Sequence, residues 1–378
     1  MTFDALPFVV AAIYDNPILF ALLVIALEIP RYTFSIIVLA MFGLRPLLTS
    51  KSVSPTISVI IPTHNGADGI VHTVQSIFAS TCQPSEVIIV NDGSDDGTHQ
   101  VVEELCLKYL TLKVITHSRR CGKSAAINHG ARFATGEFLA IVDVDTQLEA
   151  NALAQLCIAF DDTQVAAASG NILVSNAKQN PLTAIQSIEY LMSVSLGRNF
   201  LDYFGAVSCC SGAFSMFRTD VFRMLGGFNV GPGEDLEMTL RFRKAGYKVR
   251  FIRSAVALTQ VPDGFTNLVR QRRRWDRDAL NVRVFMYHQL KLRVPGEGLP
   301  DTLQRLDFII LELFPTIVYP FYLGILAVNF GSDIWPILSG VYIALFWLYG
   351  AHTLLAMFAT KRLPSLLELY QYFLFKDK

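Results

Sequence analysis

EFLAIVDVD, residues 137–145, is an apolar run of strand length that ends in two closely spaced aspartates. Three similar runs precede it in the chain: ISVIIP (57–62), EVIIVND (86–92) and LKVIT (112–116). Each run is rich in β-branched residues and bounded by turn residues, and a helical pattern follows each of the first three. This alternation predicts an α/β domain built on a mostly parallel sheet that is flanked by helices.

Polar residues follow these strands at the edge where parallel sheets bind their ligands. The three polar groups are PTHN (62–65), NDGSDDGT (91–98) and DVD (143–145). Asp95 and Asp96 are equally well explained as turn or helix-cap residues. Asp92 comes directly after an apolar strand, which favours contact with a ligand.

The spacing of Asp143 and Asp145 indicates a metal site. Alternate residues of an extended segment point to the same side, so the two carboxylates are expected to converge. Two hard oxygen donors suit Mg²⁺ or Mn²⁺, which takes further ligands from diphosphate oxygens and water. The position of this pair directly after an apolar strand therefore favours a site for a divalent cation.

Long apolar stretches flank this region, in a chain of 378 residues with a mean hydropathy of +0.39. Residues 17–44 predict either one kinked membrane span or two crossings, and 308–330 with 334–359 predict a transmembrane hairpin. Residues 1–30 hold no lysine or arginine, so the positive-inside rule places residues 45–305 in the cytosol. The alternative is that these stretches are buried helices of a soluble protein.

The cysteine pattern and the net charge argue against some classes of function. The chain has six cysteines, none of them in a C-x-x-C pair, which predicts reduced thiols and no zinc or disulfide framework. Its formal net charge is zero, and no nucleic-acid partner is expected. Although the net charge is zero, RQRRRW (270–275) is a local basic cluster, which suits either a membrane surface or a specific anion.

Five motifs occur in a recognisable order. They are VIIPTHNG, VNDGSDDGT, GKSAAINHGARFATGEFLAIVDVDT, GPGEDLEMTLRFRKAGY and QRRRW. From residue 55 to about 285 the chain resembles the membrane-bound family 2 glycosyltransferases, a group that includes cellulose, chitin-oligosaccharide, hyaluronan and poly-N-acetylglucosamine synthases. The resemblance implies a GT-A fold, Mg²⁺ or Mn²⁺ as cofactor, and inverting transfer of a sugar from a nucleotide donor, expected to be a UDP-sugar.

The resemblance also assigns roles to single residues. Thr63 and Asp92 would border the nucleobase and ribose, Lys123 would neutralise donor phosphate, Asp143 would contact the nucleoside, diphosphate or metal, and Asp145 would hold the metal. Asn91 stands where many relatives carry the first aspartate of a pair. This difference from the family pattern affects only a secondary contact, because Asp92 is kept.

Transfer requires a base that takes the proton of the acceptor hydroxyl, and the resemblance assigns this role to Asp235 of GEDLEM. The pair Glu234 and Asp235 is predicted to begin a helix, where acidic residues also compensate the helix dipole. Glu237 is expected on the surface of that helix.

QRRRW fits the family pattern Q-x-x-R-W. By resemblance, Arg274 would hold the diphosphate, while Gln271 and Trp275 would contact the acceptor. The other arginines of the cluster, Arg270, Arg272 and Arg273, would face lipid or pack against protein. After Trp275, residues 276–294 predict an interfacial amphipathic helix whose lysine and arginines face lipid head groups.

The predicted organisation follows from these assignments. It comprises N-terminal transmembrane segments (1–50), a cytosolic GT-A domain (51–264), the Q-x-x-R-W region with its interfacial helix (265–305), a transmembrane hairpin (306–360) and a cytosolic tail (361–378). The expected function is a processive synthase of the inner membrane that extends an extracellular polysaccharide, with a homo-oligomer or export partner for the polymer. The alternatives are a single transfer onto polyprenyl phosphate or diacylglycerol, and a catalytically silent nucleotide-sugar sensor; a transporter fits least.

Overall fold

The described part of the chain comes from a computed structural model. It covers residues 55–336 except 230, 232, 289 and 291–297, and then 338–340, 343, 347, 350 and 351. The predicted span at 17–44, most of the second hairpin helix and the tail at 361–378 lie outside the described residues. The described residues form two compact units, one ending before Gly298 and the other beginning there.

The first unit is built on one eight-stranded sheet. Its strands are β1 (Ile57–Thr63), β2 (Glu86–Asp92), β3 (Leu112–His117), β4 (Phe138–Val142), β5 (Thr146–Leu148), β6 (Val165–Val174), β7 (Phe214–Arg218) and β8 (Lys248–Thr259). They lie in the order β3-β2-β1-β4-β7-β6-β8-β5. The first four strands are parallel, as predicted, whereas β7 is antiparallel to both of its neighbours.

Helices cover both faces of this sheet. They are α1 (Ala67–Phe78), α2 (Thr98–Lys108), α3 (Lys123–Phe133), α4 (Ala152–Cys157), α5 (Pro181–Glu189), α6 (Arg198–Tyr203), α7 (Thr219–Met224), α8 (Glu234–Lys244) and α9 (Phe265–Leu280). A π-helical segment, Tyr190–Gly197, joins α5 to α6, and another, Asn281–Met286, continues α9.

The core has two layers because successive strand residues point to opposite faces of the sheet. Ile57, Val59 and Ile61 of β1 pack with apolar residues of α1 and α2 on one face. Ile60 packs on the other face with residues of α3, α7 and α8. Burial on both faces explains why these strands read as continuous apolar runs instead of alternating patterns. All six cysteines are free thiols, as predicted.

A buried carboxylate joins the strands at the edge opposite the predicted ligand site. Glu86, the first residue of β2, accepts hydrogen bonds from the Ser58 hydroxyl (2.6 Å), the Lys113 ammonium (2.6 Å) and the Thr135 N–H and hydroxyl (both 2.7 Å). Burial by itself raises the pKa of Glu86, but these hydrogen bonds, led by Lys113, outweigh it and lower the pKa to about 2. The ionised carboxylate therefore stabilises the fold.

We expect Glu86→Gln to lower the free energy of unfolding by about 2 kcal/mol, because the neutral amide loses its charge-assisted hydrogen bonds. Since the folded pKa is depressed from 4.5 to about 2, this stabilisation is complete above the unfolded pKa and lost as the pH falls through that interval. Thermal unfolding as a function of pH measures both effects. The control is Glu103→Gln, because the Glu103 side chain is 66% exposed and pairs with His99 on its own helix; equal losses in both variants would contradict the prediction.

The second unit contains the helix α10 (Leu299–Asp307), a π-helical segment (Phe308–Leu313) and α11 (Phe314–Phe330). Together they form one continuous helical stretch, Leu299–Phe330, which is long and apolar enough to cross a membrane by length and composition. The predicted span at 308–330 lies within this stretch.

One prediction for the segment after Trp275 is wrong. Arg283 does not face lipid head groups, because it is only 6% exposed. Its neighbour Val282 packs against Leu236 and Leu240 of α8, so this part of the segment turns toward the protein interior. Helical spacing alone does not reveal such a partner.

Candidate active site

Three predicted site residues meet at the carboxyl edge of the sheet. Thr63 and Asp92 are the last residues of β1 and β2, and Asp143 directly follows β4, which also pairs with β1. The Thr63 hydroxyl is buried and has no hydrogen-bond partner among the described residues. An unpaired buried hydroxyl costs free energy, so this position suits a polar ligand group.

The Asp92 carboxylate holds the loop that leads into α3. It accepts hydrogen bonds from the N–H groups of Cys121 (2.8 Å) and Gly122 (2.7 Å), and it contacts His117 Nδ1 at 2.8 Å. Burial acts to raise the pKa of Asp92, but these hydrogen bonds outweigh it and lower the pKa. Its contact with the nucleoside remains a prediction, while its effect on the position of Lys123 follows from the geometry.

The neighbouring polar residues of the second motif are structural. Asn91 Oδ1 accepts the Ser94 N–H at 3.1 Å, so the amide closes the turn as an aspartate would. Asp96 accepts the N–H groups of Thr98 (3.0 Å) and Ala67 (3.3 Å). Asp96 therefore acts as a turn residue directly before α2, whose N-cap is Gly97.

Lys123 and Asp235 meet through the backbone of one residue, Gly212. Lys123 begins α3, as predicted; its ammonium lies 2.5 Å from Asp143 Oδ1 and donates to the Gly212 carbonyl at 3.1 Å. The N–H of the same Gly212 donates to Asp235 Oδ2 at 3.2 Å. A Cβ on Gly212 would lie 3.2 Å from the Lys123 ammonium and 3.4 Å from Asp235 Oδ2. The absence of a side chain thus permits the close approach.

This centre carries more negative than positive charge. Burial would lower the pKa of Lys123, but the carboxylates of Asp143, Glu234 and Asp235 raise it. Burial, reinforced by the charge of Asp235, raises the pKa of Glu234. The lysine therefore stays charged, and the surrounding carboxylates favour a further cation.

The predicted geometry of Asp143 and Asp145 is wrong, although the two residues remain neighbours. They lie in a turn and not in an extended segment, because β4 ends at Val142 and the Thr146 N–H bonds the Asp143 carbonyl at 3.0 Å. The chain turns here so that Thr146 can begin β5, which pairs with β8. The turn, and not alternation along a strand, keeps the two carboxylates together.

These two carboxylates fit a hard divalent cation. Burial and then the charge of Asp143 raise the pKa of Asp145. Among the described residues, Asp145 Oδ1 has only long side-chain contacts, with the hydroxyls of Thr146 (3.4 Å) and Thr259 (3.5 Å). An accessible carboxylate with only long side-chain contacts, beside another acid, is a donor set that Mg²⁺ or Mn²⁺ would stabilise.

Asp235 lies in the first turn of α8, as predicted, and its Oδ1 accepts the Leu236 N–H at 2.8 Å. The prediction for Glu237 is wrong, because this residue is only 4% exposed. Its carboxylate accepts hydrogen bonds from the Tyr287 hydroxyl (2.8 Å) and from Arg241. Glu237 is buried because the tyrosine, fifty positions later, packs over it.

Helix α9 brings the Q-x-x-R-W residues toward the base. A Cβ on Gly233, which precedes α8, would lie 3.3 Å from Asp278 Cβ. Gln271, Trp275 and Asp278 share one face of α9 by their spacing. Gln271 Oε1 is buried without a hydrogen-bond partner in the described part of the chain, whereas Arg274 is exposed. The helix therefore presents an unpaired amide and an indole beside the acidic centre.

Two contributors are not among the predicted site residues. Gly212 lies in SCCSGAF, a stretch whose sequence resembles the acceptor-path segment of family 2 glycosyltransferases and equally suits a small-residue packing turn. His117, at the end of β3, supports Asp92, and its Nε2 lies 2.8 Å from His129 Nδ1. Both act through partners far away in sequence, which a pattern of local spacing does not contain.

The family model described as glycosyl transferase family 2 matches residues 58–226. The chain carries a family 2 glycosyltransferase domain. The matched region contains Thr63, Asp92, Lys123, Asp143 and Asp145, and the glycosyltransferase assignment made from the motifs is confirmed.

Named relatives agree with this assignment. The chain is 28% identical over 240 residues to an N-acetylglucosaminyltransferase of Azorhizobium caulinodans, a match that covers 60% of each chain. It is 31% identical to a probable glycosyltransferase of Bacillus subtilis (59% of this chain, 55% of the relative). It is 27% identical to a poly-beta-1,6-N-acetyl-D-glucosamine synthase of Staphylococcus aureus (58% and 53%). The chain thus spans about half to three fifths of the length of the curated relatives that it matches.

A solved structure confirms the fold of the glycosyltransferase domain. A mannosyltransferase from Pyrobaculum calidifontis, solved with GDP-Man and Mn²⁺, matches with a TM-score of 0.62 over 95% of this chain and 99% of its own, at 21% identity. The predicted α/β GT-A fold is therefore confirmed, with its mostly parallel sheet flanked by helices.

Proposed function

We propose that this protein transfers a sugar from a UDP-sugar to an acceptor hydroxyl, with N-acetylglucosamine as the first candidate sugar. One observation carries the proposal: through its carbonyl and its N–H, Gly212 joins Lys123, a cation suited to a diphosphate, to Asp235, a carboxylate suited to an acceptor hydroxyl. The names of the N-acetylglucosaminyltransferase and poly-N-acetylglucosamine synthase relatives support the choice of sugar.

The proposed reaction is a single displacement. The acceptor oxygen attacks the anomeric carbon while its proton passes to Asp235, and the bond from that carbon to the diphosphate oxygen breaks. The configuration at the anomeric carbon is inverted, because the acceptor oxygen attacks on the face opposite to the departing diphosphate. Lys123 and Arg274 stabilise the negative charge that develops on the departing UDP, and Thr63 and Asp92 hold the nucleoside end.

Asp143 and Asp145 would hold Mg²⁺ or Mn²⁺, which stabilises the charge of the leaving diphosphate when bound. We expect Asp145→Asn to raise the Mn²⁺ concentration for half-maximal activity by about tenfold or more, because one anionic ligand becomes neutral. Electron paramagnetic resonance of Mn²⁺ should show the same loss of binding without turnover. Asp68→Asn is the control, an exposed acid in the first turn of α1; equal weakening in both variants would exclude Asp145 as a ligand.

We further propose that the enzyme acts at the cytosolic face of the inner membrane as a multi-pass protein and extends a polysaccharide processively. The apolar stretch Leu299–Phe330 supports membrane attachment, and the Q-x-x-R-W residues on α9 support repeated use of one acceptor site. A glycan acceptor, the bilayer, and a second copy or an export partner are the corresponding partners.

Product analysis tests the proposed function. The protein in native membranes is incubated with Mg²⁺ or Mn²⁺ and, in turn, with a panel of UDP-sugars, and both UDP release and product length are measured. UDP release with UDP-N-acetylglucosamine and a ladder of growing chains is expected. If the only product is a singly glycosylated lipid, the enzyme is a lipid-directed transferase and not a synthase. If no donor leads to UDP release, the proposal is refuted.

A further inference from the structure

Arg272 differs from the other arginines of RQRRRW in having two defined partners. Its Nη2 donates to Glu189 Oε2 at 2.7 Å, at the end of α5, and its guanidinium carbon lies 4.5 Å from the centre of the Trp275 ring system. By contrast, Arg273 and Arg274 are exposed. Arg272 occupies a position that the pattern Q-x-x-R-W leaves unspecified, so this arrangement is not part of the motif.

The two contacts of Arg272 are compatible because of the shape of its side chain. A guanidinium donates hydrogen bonds in its plane and stacks on aromatic rings through its faces, so one group can serve a carboxylate and an indole together. A lysine in its place could keep the charge near Glu189 but could not stack in this way. The contact therefore fixes the orientation of the Trp275 ring and is more than an electrostatic attraction.

The indole of Trp275 is covered by Arg272 and still partly exposed. The guanidinium lies over the ring, and 38% of the residue is exposed. An open indole face is a suitable surface for the C–H face of a pyranose ring, because both are flat and apolar. The stacked guanidinium leaves one side of the ring available to a ligand.

Trp275 also lies close to the helix that carries the base. One turn further along α9, Asp278 lies against Gly233, which precedes the base-bearing helix α8. On the other side, Arg272 is tied to Glu189 at the end of α5. A sugar on this indole would therefore lie beside the helix that carries the base.

We propose that Glu189 and Arg272 are positioning residues that hold Trp275 with one indole face covered and the other presented to the acceptor sugar. This inference rests on the proposed function, because an acceptor site has meaning only for a transferase. It adds to that function a reason why an acceptor would be held in one orientation. Small errors in the placement of an acceptor hydroxyl are costly for transfer, which gives the fixed ring a catalytic consequence.

The test separates ring position from chemistry. Trp335 and Trp347, the other tryptophans of the chain, are replaced by phenylalanine so that fluorescence reports Trp275 alone. In this background Arg272→Lys and Glu189→Gln are compared with Arg273→Lys, the matched exchange at the adjacent exposed arginine. Acrylamide quenching of Trp275 is expected to increase in the first two variants and to stay unchanged in the third.

Kinetics with a soluble acceptor give the second readout. With an oligomer of four N-acetylglucosamine units as the probe, the acceptor KM is expected to rise by about tenfold in Arg272→Lys and Glu189→Gln, while the donor KM stays within about twofold. The double variant should be no worse than the single variants, because both changes break one chain of contacts.

Two results would overturn the inference. Unchanged quenching would mean that Arg272 does not hold the ring, and increased quenching with an unchanged acceptor KM would mean that the ring does not serve the acceptor. If the parent protein transfers no sugar from any donor, the proposed function fails together with the acceptor role. The quenching comparison would in that case still decide whether Glu189 and Arg272 position Trp275, so the two failures are distinguishable.

Discussion

Asp235→Asn is expected to lower kcat by about 10²- to 10⁴-fold, the usual contribution of a positioned general base. The amide keeps the size of the side chain and can still accept the Gly212 N–H hydrogen bond through its oxygen, but it cannot take a proton from the acceptor. Because Lys123 and the predicted nucleoside contacts are unchanged, the Kd for UDP should change by less than about twofold. Single-turnover kinetics and a UDP binding titration measure the two quantities.

Asp220→Asn is a closely matched control for this experiment. Asp220 also lies in the first turn of a helix, α7, and its Oδ1 accepts the next N–H at 2.8 Å, as Asp235 Oδ1 does. The control therefore reproduces the helix-dipole and local hydrogen-bond effects of the substitution without the site. Loss of activity in both variants, or in neither, would remove Asp235 from the proposed mechanism.

The first half of the sheet was predictable because its signal is local. Strands β1, β2 and β4 are short, apolar and buried on both faces, and β3, at the edge of the sheet, is short and β-branched, so the composition of each run is enough to indicate a strand. Strand β6 gives no such signal, since VAAASGNILV is rich in small residues. The reason lies elsewhere in the chain: a Cβ on Gly170 would collide with the ring of Phe214 on β7. Small residues at β6 make room for a neighbouring strand, which local spacing does not reveal.

The site was predictable at the level of residues but not of contacts. The motifs identified Lys123, Asp143 and Asp235, and the structure brings these three together. The backbone carbonyl and N–H that join Lys123 to Asp235 both belong to Gly212, and the turn that keeps Asp143 beside Asp145 replaces the predicted extended segment. A motif specifies which side chains are needed, whereas backbone groups and turns that connect them depend on the whole fold.

Arg274→Ala is expected to lower kcat/KM by about 10²- to 10³-fold, because it removes a charged donor from the place where leaving-group charge develops. Arg274 is exposed and makes no ion pair with any residue that the structure describes, so its guanidinium is available to a ligand and its loss should leave the fold intact. Arg274→Lys should recover only part of the activity, since an ammonium lacks the planar fork that matches a phosphate.

The control for Arg274 has to be chosen by structure and not by sequence alone. Arg272 is a poor control, because it pairs with Glu189 and stacks on Trp275. Arg273 is adjacent, equally charged and exposed, so Arg273→Ala should change kcat/KM by less than about threefold. Equal losses at Arg273 and Arg274 would show that the cluster acts as a general basic surface. A loss confined to Arg274 would show that one arginine of RQRRRW serves the diphosphate, while Arg272, by its contacts, serves the ring beside it.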